Sequence, residues 1–200
     1  MKVLDRAFAA AIGAFFFGAF MGGILVLFLP IFHDVTVEIF QARMLGPLRA
    51  VSAFGKVAVL LLIFVNNSIP ALLSFLYPLV LAKVHWAPPL TERRKRLYLI
   101  SFTLLTAFLI GFFGVGAALG VIWLADGLNG VLRLLMRALV HGPLELTFVL
   151  LCVAEPLRIV LTTDDLEAKL VKRLKGDVRL LQGCVLGLFI SASIEVFALL

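Results

Sequence analysis

Glu145, Glu155 and Glu195 each stand inside a long apolar stretch of this chain. An ionised carboxylate at the centre of a bilayer costs about 3 kcal/mol or more unless it is paired, hydrated or neutralised. His141, Glu145, Cys152, Glu155 and Arg158 recur at spacings that put them along one face of a helix. That face cannot look at lipid. Such a stripe can be an interhelical hydrogen-bond seam that fixes packing, or a protonatable, lined polar path. A metal site is the weakest reading, because His141 and Glu145 are only two ligands and no HExxH motif is present. The same argument disfavours an intramembrane metalloprotease, and no Asp, His and Ser share a depth that would suit a serine hydrolase. Glu155 and Arg158, at i and i+3, can pair with each other. Asn66 and Asn67 are the remaining polar pair inside an apolar run, with Pro70 close behind. No Walker motif or Rossmann glycine fingerprint occurs, so the chain is expected to hydrolyse no nucleotide itself, and no cofactor or metal is expected.

These groups need helices to position them, and the composition says of what kind. Of 200 residues, 62% are hydrophobic and 15% charged, and the mean hydropathy is +1.13. A soluble domain is nearer half apolar and a quarter charged. The net charge of +6 would suggest nucleic acid in a soluble protein; here it reads as orientation in a membrane. Cys152 and Cys184 lie in separate apolar runs, so a disulfide framework is not expected. The apolar run after Arg6 is too long for a signal-peptide core and reads as a retained span.

A span needs roughly 20 apolar residues. Five stretches qualify: Ala7–Phe32, a segment within Val57–Leu81, Leu97–Ala125, Ala138–Leu161 and Leu180–Leu200. The second is expected to be broken or re-entrant. Pro70 cannot donate to the carbonyl of Asn66, and Asn67 is a good N-cap, so Val51–Val65 could form a separate helix that lies in or dips into the interface. Pro143 suits a helix start near His141–Gly142. Placing the N-terminus in the cytoplasm leaves twelve Lys and Arg inside (Lys2, Arg6, Lys83, Arg93 to Arg96, Lys169, Lys172, Arg173, Lys175, Arg179) and five outside. The positive-inside rule then favours N-in, C-out in the cell membrane.

Two connections invite contact with something else. Thr91-Glu92-Arg93-Arg94-Lys95-Arg96 is a compact basic cluster, a topology signal that meets anionic lipid or a docking site for an acidic partner. Thr162–Arg179 is amphipathic, an interfacial helix or a coupling helix for a soluble partner. Small residues at spacing four (Ala10, Ala14, Gly18, Gly22; Gly116, Gly120; Gly183, Gly187, Ser191) form ridges that let backbones approach, within the chain or in a homodimer.

Three segments together resemble a known family. Asn66-Asn67 opens a short apolar helix; His141-Gly142-Pro143-Leu144-Glu145-Leu146 is close to a His-Gly-x-x-Glu-Leu pattern; and Ser191-Ala192-Ser193-Ile194-Glu195-Val196-Phe197 is similar to an Ile-Glu-Ala-Phe ending. In this order they resemble the stage II sporulation protein M family of five-span membrane proteins, which also occurs in organisms that form no spores. The resemblance runs from about Phe64 to the C-terminus. It implies a non-enzymatic membrane component, related to the membrane halves of ABC-2-type exporters, that works with partners such as a peptidoglycan hydrolase. The charged Lys83–Arg96 loop and Ala154-Glu155-Pro156 depart from the family pattern, so Glu155 inherits no family role.

The expectation is therefore an all-α polytopic membrane protein, one integral membrane domain over residues 1–200. It has about five transmembrane helices, a broken or re-entrant second segment and interfacial amphipathic helices. Its surroundings are membrane lipids and either partner proteins or further copies of itself, with no role for nucleic acid. Function falls to a scaffold or permease-like subunit, or alternatively to a proton- or ion-coupled transporter or channel. Asn66, Asn67, His141, Glu145, Glu155, Arg158 and Glu195 are the candidate functional residues.

Overall fold

The computed structural model describes residues 2–83, 91–162, 172 and 176–199. All regular structure among them is helical. The helices are α1 (Lys2–Phe28), α2 (Pro30–Phe40), α3 (Gly46–Ser52), α4 (Lys56–Lys83), α5 (Glu92–Gly111), α6 (Ala117–Thr162) and α7 (Val178–Leu199). Two π-helical turns, Gln41–Leu45 and Phe112–Gly116, join α2 to α3 and α5 to α6. Among the described residues, four helical stretches are long and apolar enough to cross a membrane: Asp5–Phe28, Lys56–Tyr77, Glu92–Thr162 and Val178–Phe197. Large apolar side chains crowd their outer surfaces, with Phe16, Phe20 and Phe28 between 59% and 75% exposed. Lipid, not water, suits such a surface.

The first span ends as its sequence requires. Leu29 takes an extended conformation, Pro30 stands in the first turn of α2, and the Phe32 ring packs edge-on to Phe112 at 6.2 Å.

The second segment corrects the sequence reading. There is no break at Asn66–Pro70 and no cap at Asn67: α4 is one helix of 28 residues, about 42 Å at 1.5 Å per residue. Pro70 removes a single backbone N–H, whereas ending the helix would strand several donors and acceptors where water is absent, each at a cost of several kcal/mol. The Ser74 hydroxyl donates to the carbonyl of Pro70 at 2.6 Å. The break falls earlier, at Ala53–Gly55, where Gly55 has φ +87°. That conformation favours glycine.

The third stretch is helical over 71 residues but reverses on itself. Gly127 leaves the helix with φ 61° and ψ −154°. On either side, Arg96 Nη1 donates to the carbonyl of Val160 at 3.3 Å, Leu99 packs with Ile159 and Val160, and Ala107 packs with Leu150 and Val153. Early residues of α5 meet late residues of α6, so the two limbs are antiparallel. Arg133 reaches back across the turn to Asp126 at 3.0 Å. The helix start expected at His141–Gly142 is also absent; α6 runs through Pro143.

Small residues bring the limbs together. A Cβ on Gly18 or Gly22 would strike the backbone of Phe108 or Phe112, and one on Gly111 or Gly116 would strike Phe15 or Ala19. These contacts pair rising numbers with rising numbers, so α1 and the α5 limb are parallel. α7 runs antiparallel to α4, with Ile63 beside Ala192 and Val196 and Ala71 beside Cys184 and Leu188. It is likewise antiparallel to the second limb of α6. The result is a bundle with a near end, holding the start of α1, Thr91, Thr162 and Asp177, and a far end, holding Phe28, Lys56, Gly127 and Glu195. At the near end the Thr91 hydroxyl caps α5 by accepting from the Arg94 N–H at 3.4 Å. Most of the amphipathic Thr162–Arg179 segment and half of the Lys83–Arg96 loop lie outside the described residues.

Candidate functional site

The polar stripe foreseen on α6 is real, but it is divided. At the far end, His141 and Glu145 lie one turn apart on α6 and meet Glu195 of α7. One ligand-capable atom from each of the three lies within 4.8 Å of the others. His141 Nε2 is 3.5 Å from Glu195 Oε2, and the two side chains are 13% and 28% exposed. The Ser191 hydroxyl, one turn before Glu195, donates to the carbonyl of His141 at 3.2 Å and ties the two helices at this depth. His141 Nδ1 is buried without a hydrogen-bond partner.

At the near end, Arg158 grips Glu155 with two nitrogens. Nε donates to Oε2 at 2.8 Å and Nη2 donates to Oε1. Nη2 also reaches Asp177 Oδ2 at 3.3 Å. The i,i+3 pairing expected from sequence is thus formed, and it has a third member that links α6 to the residue opening α7. Glu155 is fully buried. A bidentate guanidinium is the partner best shaped to offset the desolvation of a buried carboxylate.

Between the two clusters the seam is dry. Val149, Leu150, Cys152, Val153 and Ala154 are buried, and Cys152 packs with Cys184, Leu188 and Ala71. Both cysteines are free thiols. Cys152, counted as part of a polar stripe, behaves here as a small apolar side chain.

Asn66 and Asn67 sit mid-helix on α4, with Asn66 Nδ2 donating to Asn67 Oδ1 at 3.5 Å. Their depth matches that of Glu145, because Ala71, one turn beyond, packs with Val149, one turn beyond Glu145. The convergence of Glu195 on His141 and Glu145 was not foreseen. One signal pointed to it: Glu195 and Ser191 share a face at spacing four, on the small-residue ridge that packs through Gly187 against the Phe148 ring of α6. Compared with protein-family models, with curated proteins and with solved structures, the chain matches none of them.

Proposed function

We propose that this chain is a five-span cell-membrane protein, N-terminus in the cytoplasm and C-terminus outside, that acts without catalysis as a scaffold or permease-like subunit beside partner proteins. The fifth crossing comes from the reversal at Gly127, which turns one helical stretch into two limbs of opposite direction. The alternation of α1, α4, the two limbs and α7 then gathers the basic Arg93–Arg96 cluster and the start of α1 at the near end, in keeping with the positive-inside rule. The observation that carries the functional reading is the dry girdle around Val149–Leu150 and Cys152–Ala154. It separates the two polar clusters, and each cluster fastens α6 to α7. A seam of that kind fixes helix packing. The resemblance to the stage II sporulation protein M family points the same way, since its three motif segments share one depth at the far end.

The second reading, proton- or ion-coupled transport, is favoured by the approach of two carboxylates and an imidazole at that same depth. Protein reconstituted in liposomes with an internal pH dye separates the two. The scaffold reading expects no flux above empty liposomes, and crosslinking in native membranes from the Arg93–Arg96 segment to a second protein. Wild-type flux that vanishes in Glu145→Gln would overturn it in favour of transport.

A further inference from the structure

His141, Glu145 and Glu195 have the composition and geometry of a metal-ion cradle. We propose that they bind one divalent transition-metal ion of the zinc class at the far end of the α6–α7 seam. The proposal stands apart from the scaffold reading and does not depend on it.

Three observations carry it. The first is spacing. Two ligands held at about 2.1 Å by a tetrahedral ion lie roughly 3.4 Å apart. His141 Nε2 and Glu195 Oε2 are 3.5 Å apart, too long for a good N–H···O bond and close to that ligand spacing. One ligand atom from each of the three residues lies within 4.8 Å of the others, so a closing of about 1.4 Å or less brings every pair to that spacing. The second is charge. Among the described residues, no Lys or Arg pairs with Glu145 or Glu195. An imidazolium at His141 would offer one positive charge to two carboxylates, whereas a divalent ion balances both in a medium where an uncompensated charge is costly. The third is support. His141 and Glu145 share one face of a single rigid helix, and the Ser191 bond to the His141 carbonyl holds Glu195 opposite them. The partial exposure of His141 and Glu195 leaves an entry path and room for a fourth, water or substrate, ligand. One nitrogen with two carboxylate oxygens suits zinc, manganese or iron(II) better than the all-oxygen shells of magnesium and calcium.

The test uses the full chain in detergent, carrying no histidine tag, stripped with a chelator and titrated with Zn2+. The expected result is one Zn2+ per chain retained through gel filtration, with Mg2+ unable to compete at a hundredfold excess. Glu145→Gln and Glu195→Gln keep shape but lose ligand charge; each is expected to weaken binding by about 100-fold, at least the loss seen when supporting residues of metal sites are removed. A double Cys152→Ser, Cys184→Ser variant is expected to bind as wild type. Substoichiometric Zn2+, unchanged binding in both Gln variants whose thermal midpoints match wild type, or loss of binding in the cysteine variant would each overturn the proposal.

Discussion

Replacing Gly116 by alanine tests whether α1 and the α5 limb meet backbone to backbone. A Cβ at Gly116 would lie 2.6 Å from the carbonyl carbon and 2.8 Å from the Cα of Ala19, and nearer still to its oxygen. Carbon atoms rest at about 3.5–4.0 Å, so the helices must part by roughly 1 Å. The obstacle is main chain, not a side chain with other rotamers, so the cost should fall near the top of the usual overpacking range, about 3 kcal/mol. Gly114, two residues earlier, meets nothing within 4 Å; alanine there should gain up to about 1 kcal/mol of helix propensity. For a chain of this size 1 kcal/mol moves the melting midpoint by about 2–4 °C, so Gly116→Ala should melt about 6–12 °C below wild type and Gly114→Ala at or above it. The buried free thiols Cys152 and Cys184 supply the readout, because a maleimide dye can label them only when the bundle opens. Equal midpoints for the two variants would refute the close parallel packing of α1 against this limb.

Three further outcomes are expected. Arg158→Leu leaves Glu155 buried and unpaired and should cost about 3–5 kcal/mol, more than Glu155→Leu, which leaves a quarter-exposed Arg158 that still reaches Asp177; the order of the two midpoints in the same dye assay decides it. Gly127→Ala places a side chain at φ 61°, ψ −154°, a region reserved for glycine, and should cost about 1–3 kcal/mol although nothing stands within 4 Å of the new Cβ; a midpoint equal to wild type would count against the reversal there. A cysteine at Arg94 should stay unlabelled by an impermeant reagent in intact cells, while a tag after Leu200 is reached from outside; labelling at Arg94 would remove the five-span topology.

Helices of membrane-crossing length were legible because apolar runs of that length leave few alternatives, and the ridge residues Gly18, Gly22, Gly116 and Gly120 were legible because only small residues recur at that interval. Asn66, Asn67 and Pro70 misled because local rules for caps and proline come from water, where a broken helix finds solvent; in an apolar medium the unbroken helix costs less. Among the described residues Gly55 and Gly127 carry positive φ; Asp126-Gly127 is a turn dipeptide that marks the reversal, whereas Phe54 and Lys56 give Gly55 no such mark. The stripe on α6 was visible as a periodicity. Its division into two clusters was not, because whether Cys152 faces polar or apolar neighbours depends on α4 and α7, which lie far away in the chain.

The order in which the far-end cluster is completed bears on how the protein is made. His141 and Ser191 are 50 residues apart, so at about 5–20 residues per second His141 and Glu145 exist for roughly 3–10 s before α7 is synthesised. During that interval the second limb of α6 carries His141 without the Glu195 carboxylate and the Ser191 hydroxyl that it meets in the finished fold. α1, by contrast, presents only apolar and small residues on its packing face and can wait in lipid at no polar cost. A chain stalled before Ser191 would therefore lack both contacts that fasten His141 on the α6 limb to α7.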